Sequence, residues 1–153
     1  MNKTQIIQEQ NLANIYEQDY CLWIEKTIVV LREGKLSELD ITNLIEEITD
    51  MGISQKKAVS SNLQIVLMHL LKYKYQPEKR SNSWRYTIFE HRDRILEAFE
   101  LSPSLKPYFM TIFDKCYRKA RKKASLETGL SINVFPLQCP FTEAETLDTE
   151  YLP

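Results

Sequence analysis

Glycine, cysteine and histidine are scarce in this chain of 153 residues, which holds three glycines, three cysteines and two histidines. So few glycines, beside 43% hydrophobic and 27% charged residues, exclude the disordered class and describe a globular, helix-rich chain. Cys21, Cys116 and Cys139 are odd in number, widely separated and free of any C-x-x-C spacing. That argues against a disulfide frame or zinc knuckle and for reduced thiols in a cytosol. The longest strongly apolar stretch, Leu63 to Leu71, is broken by Gln64 and His69, and it falls well short of the roughly 20 residues a membrane span requires. Met1 to Ala13 is polar and lacks the charged-then-apolar order of a secretory signal. These absences predict a cytoplasmic protein without a membrane segment. Neither a metal site nor a cofactor is expected.

What is present is helical period. The length fits one domain, with residues 1–18 read as a flexible N-terminal arm and 19–153 as a single all-α bundle of about five main helices. Tyr20, Trp23, Ile24, Thr27, Ile28 and Leu31 predict a helix from Asp19 to Glu33, ended by Gly34. Asp40 caps a short second helix whose buried stripe is Ile41, Leu44, Ile45, Ile48 and Met51, with Gly52 as its stop. Ser54 starts a third, central helix to Tyr75, apolar over more than half its circumference. A polar loop from Gln76 leads to a fourth helix capped by Ser83, with the stripe Trp84, Ile88, Ile95 and Phe99. The fifth begins near Ser104 or Lys106 and runs to Thr128, before Gly129. An irregular wrap follows, with a capping box at Thr142 and Glu145.

Against this pattern some polar residues stand on faces meant for apolar ones. With Trp84 at zero, His91 falls at about 340° and Arg92 at about 80°, among Ile88, Ile95 and Phe99. A buried arginine needs a carboxylate or several carbonyls, and Glu47, at the edge of its stripe, is expected to meet Arg92 or Arg121. Asn62, His69 and Lys72 gather on one side of the third helix, and Tyr117 and Arg121 flank the stripe of the fifth. One reading is a structural network fixing helix register. The other is a pocket where His69, His91, Lys72 and the arginines bind an anion or move a proton. Arg85 and His91 form an R-x5-H string similar to the motif of the HEPN helical ribonucleases. Six positions, however, turn the helix by about 240°, so the two meet only across a kink. A metal held by His69, His91 and Glu47 lacks the spacing that sets two ligands on one helix.

Charge is unevenly spread. Lys and Arg stand against Asp and Glu as 8 to 10 over residues 1–76, 12 to 7 over 77–128 and 0 to 4 over 129–153. Within the positive middle, Lys115, Arg118, Lys119 and Lys122 form one outward stripe while Arg121 faces elsewhere. Such a stripe is either a solvated helix face or, with Lys79, Arg80 and Arg94, a track for a phosphate backbone.

From Tyr20 to Pro153 the chain resembles the bacterial domain-of-unknown-function family 29, common in cyanobacteria. The strings that carry the likeness are Q-D-Y-C-L-W around Tyr20, L-I-E-E-I at Leu44, H-L-L-K at His69 and S-W-R-Y-T-I-F-E-H-R at Ser83. S-P-S-L at Ser102, Y-R-K-A-R at Tyr117 and F-P-L-Q-C-P-F-T at Phe135 follow. The resemblance implies an all-helical fold and marks Glu47, His69, Lys72, Trp84, Arg92, Tyr117 and Arg121 as characteristic positions; it supplies no activity. The leading expectation is a binding domain for an anionic partner such as nucleic acid, through Trp84, Tyr117, Arg121, Lys119 and Lys122. The alternatives are a hydrolase or nuclease using His69, Lys72, Arg92 and Glu47, and a structural scaffold or homodimer.

Overall fold

The computed structural model describes residues 11–153. The chain is all-α, with no strand among the described residues. Its helices are α1 (Leu12–Gln18), α2 (Tyr20–Arg32), α3 (Ile41–Tyr75), α4 (Asn82–Leu101), α5 (Leu105–Thr128) and α6 (Glu143–Leu147). Single 3-10 turns stand at Leu36–Glu38, Pro77–Lys79 and Ile132–Val134. The chain divides into two compact units, one through Gly52 and one from Ile53 to Pro153.

In the first unit, the side chain of Asn11 caps α1 and that of Asp19 caps α2. The expected N-terminal arm lies partly outside the described residues, but Leu12 to Gln18 is helical, and Leu12 and Ile15 are buried with Trp23. Two turns with Leu12, Ala13, Ile15 and Tyr16 are too short a stretch for period alone to mark a helix. Gly34, at φ +67°, ends α2 as expected. Its N–H donates to Leu31 O and that of Lys35 to Val30 O, closing the helix in a Schellman turn. Asp40 then does two tasks, capping α3 through the Asn43 N–H (3.4 Å) and accepting from the indole of Trp23 (3.2 Å).

Two expectations fail on α3. Gly52 does not stop the helix and Ser54 does not start another; one helix runs from Ile41 to Tyr75. An interior glycine costs about 1 kcal/mol relative to alanine, which a long hydrogen-bonded ladder absorbs. Nor is the stripe of Ile41, Ile45, Ile48 and Met51 buried: these side chains are 50, 59, 61 and 68% exposed. Instead Leu44 packs on the core of α1 and α2, and Asp40 and Glu47 bond to the same two helices.

The second unit holds the larger core. The C-terminal half of α3 enters it with Val59, Leu63, Val66, Leu67, Leu70 and Leu71. Ile88, Ile95 and Phe99 come from α4, and Phe109, Phe113, Ala120 and Ala124 from α5. Each large aliphatic side chain fully buried here contributes about 1.5–3 kcal/mol. Phe135 and Phe141, from the segment after α5, close the core. That segment begins at Gly129, φ +73°, and its α6 carries the expected capping box, with Thr142 N–H to Glu145 Oε2 at 2.9 Å and Glu145 N–H to Thr142 Oγ1 at 3.1 Å.

Candidate functional site

Arg92 is the most constrained of the misfit residues. It is 1% exposed, and its fork donates to three backbone carbonyls: Nε to Thr146 O (2.7 Å), Nη1 to Tyr151 O (2.9 Å) and Nη2 to Glu145 O (3.1 Å). Glu145 and Thr146 lie at the C-terminal end of α6, where carbonyls carry partial negative charge; that of Glu145 also accepts from the Asp148 N–H. Burial pulls the guanidinium below its ordinary value, and Asp148 acts the other way. The expected pairing of Glu47 with Arg92 or Arg121 is not what satisfies either side. Glu47 finds its donors within its own unit, the hydroxyls of Tyr16 (2.7 Å) and Tyr20 (2.6 Å). Those two bonds hold its carboxyl below the usual range, and the bond to Glu47 pushes Tyr16 up to about 12.

Tyr117 and Arg121 repeat the theme of Arg92. The Tyr117 hydroxyl donates to Pro136 O (2.6 Å) and Arg121 Nε to Phe135 O (2.8 Å). Three polar residues of α4 and α5 thus tie down the carbonyls of the segment after Gly129. Burial raises the Tyr117 phenol well above its ordinary value. Tyr117→Phe is expected to cost about 1–2 kcal/mol by leaving a part-buried carbonyl without its donor, measured by urea unfolding.

A second polar group sits on α3, α4 and α5. Lys72, 5% exposed, places Nζ 2.5 Å from Glu127 and 4.5 Å from the centre of the Trp84 ring. The His69 ring shares a 3.0 Å bond with Ile65 O, so its Nδ1 carries the proton. Nδ1 of His91 bonds Asn62 Oδ1 at 2.6 Å. Burial lowers both imidazoles from their ordinary range; Lys72 adds to this at His69 and Arg94 at His91. The folded chain therefore holds fewer protons on them than the unfolded chain does. Their contribution to stability is complete above about pH 6.5 and is lost as the pH falls through the lower folded values. Urea midpoints are expected to drop between pH 7.5 and 5.5, and the drop should flatten in a His69→Gln, His91→Gln variant.

The buried Gln64 is satisfied as well. Lys123 Nζ donates to Gln64 Oε1 (2.8 Å), and Gln64 Nε2 to Ser60 Oγ (3.3 Å). Among the described residues only Thr27 Oγ1 is buried without a partner. A cleft of about 460 Å³ lies between α5 and the later segment, lined by Asp114, Tyr117, Arg118, Gln138, Cys139 and Glu143 among others. It includes none of His69, Lys72, Arg92 or Glu47. Burial pushes the Cys139 thiol up to about 11, so it stays protonated and is a poor nucleophile. Sequence period missed this cleft, because half its wall is irregular backbone.

The outer face of α5 differs in kind. Lys115, Arg118, Lys119 and Lys122 are all exposed, and none has a carboxylate within ion-pair distance among the described residues, where the ion pairs are Lys35–Glu33, Lys72–Glu127 and Arg94–Glu90. Opposite them, Phe113, Cys116, Ala120 and Ala124 are buried.

The family model described as Domain of unknown function DUF29 matches residues 15–152. The chain belongs to this family. No curated protein and no solved structure matches it. Within the span of this family, the clamps of Arg92, Tyr117 and Arg121, the Lys72 and His69 group and the basic stripe all fall inside the matched residues. No helix of the described residues is long and apolar enough to cross a membrane.

Proposed function

We propose that the chain is a non-catalytic binding domain that recognises the phosphate backbone of a nucleic acid through the exposed stripe of α5. The observation that carries this reading is the row Lys115, Arg118, Lys119 and Lys122, solvated and without ion pairs among the described residues, on a helix whose other face is locked into the core. Over eight residues, or seven helical steps, the row extends roughly 10 Å, enough to follow successive phosphates. A pre-set row of cations attracts a polyanion by releasing its counterions and needs no shaped pocket. The three free thiols suit a reducing compartment, and we place the protein in the cytoplasm.

Geometry lends less support to the hydrolase or nuclease alternative. Arg92, expected to help bind an anion, already spends three of its five N–H donors on carbonyls, and the cleft does not include His69. The test is fluorescence anisotropy with labelled single-stranded RNA and duplex DNA at stepped salt. Binding that weakens steeply with salt, and weakens further in Lys119→Ala, Lys122→Ala, supports the reading; no binding at low salt removes it.

A further inference from the structure

One face of α3 is left bare within the first unit. Ile41, Ile45, Ile48 and Gly52 follow at intervals of four, three and four, which keeps them within about 60° of one another around the helix. The isoleucines are 50, 59 and 61% exposed, and Met51 beside them 68%. The stripe carries no charge. Thr42 and Thr49 flank it, whereas Glu46 and Asp50 turn away by the same period and Glu47 is held by Tyr16 and Tyr20. Gly52 adds a second observation. Glycine is disfavoured inside a helix, yet a side chain at Gly52 would meet nothing within 4 Å. None of the described residues uses the missing side chain.

We propose that this stripe is a seam on which a second copy of the chain docks, with the two α3 helices antiparallel. The four-three-four order reads the same from either end. An antiparallel copy sets Ile45 against the partner's Ile48 and Ile41 against the partner's Gly52, where the absent side chain leaves room for the isoleucine. Parallel copies would stack glycine on glycine and leave a void in that layer. The spacing is the one that keeps paired helices in contact as they coil. Bare surface along the stripe is on the order of 600 Å² per copy, the upper end of what a monomer leaves exposed and somewhat under the roughly 800 Å² of a standard interface. The dimer therefore forms at high chain concentration. This inference stands apart from nucleic-acid binding and concerns a different helix.

Sedimentation velocity of the full chain across concentrations is the test. The wild type moves toward twice 18.1 kDa, while Ile45→Glu, Ile48→Glu stays at the single-chain mass with an unchanged helical circular-dichroism signal. Register is read by disulfide formation in a Cys21→Ser background. A mixture of Ile45→Cys and Ile48→Cys chains oxidises to the mixed dimer far more than either variant alone. A dimer that survives both glutamates, or equal self-cross-linking by each single variant, overturns the seam or its direction. A wild type that remains at 18.1 kDa throughout also overturns it, and leaves the stripe to a different protein.

Discussion

Replacing Arg92 by alanine is expected to destabilise the second unit by about 3–5 kcal/mol, with loss of the packing of the segment after Gly129. The magnitude follows from what remains behind. Three charge-assisted hydrogen bonds disappear together, and the carbonyls of Thr146 and Tyr151 lose their donor while that of Glu145 keeps only the Asp148 N–H at 3.3 Å. Each carbonyl left dry costs about 1–3 kcal/mol, partly relieved if water enters. Arg92→Lys should recover only a fraction, because one ammonium cannot reproduce a planar fork that reaches three acceptors. Urea unfolding of the full chain measures both variants. A loss under about 1 kcal/mol for alanine would mean that the arginine is wetted and its bonds weak.

The second large effect is on binding. Four backbone contacts made by Lys115, Arg118, Lys119 and Lys122 give a slope of log affinity against log salt near −3.6 on duplex DNA and near −2.8 on single strands. Raising salt fourfold should then weaken binding roughly 50- to 150-fold. Changing all four to glutamate should abolish binding at moderate salt, while the fold is retained because these side chains are exposed and form no ion pair among the described residues. Neutralising Lys119 and Lys122 alone should reduce the duplex slope by about 1.8. A slope that does not change would place the contacts elsewhere.

Sequence reading did well where a local signal decides the structure. Gly34 and Gly129 end their helices at positive φ, and Thr142 with Glu145 forms the capping box. The basic stripe of α5 could be placed because helical period alone separates outward from inward positions. Gly52 and Ser54 misled because local stop signals are weak beside an uninterrupted hydrogen-bond ladder. The polar misfits were found on the right faces, since Arg92, Lys72 and Tyr117 are buried, but their partners were not legible. Arg92 and Tyr117 bond to backbone carbonyls of α6 and of the irregular stretches beside it, and carbonyls leave no mark in a sequence. Glu47 takes hydroxyls 31 and 27 residues away, a contact that only the packing of α1 and α2 creates.

On this division of labour the buried polar groups hold the fold while the α5 stripe meets the partner. Amide spectra of isotopically labelled protein, recorded as a short RNA oligonucleotide is added at low salt, test that division directly. Shifts are expected to centre on Lys115, Arg118, Lys119 and Lys122 and to vanish when salt is raised. Shifts centred on His69, Lys72 and Trp84, with the stripe unmoved, would contradict it.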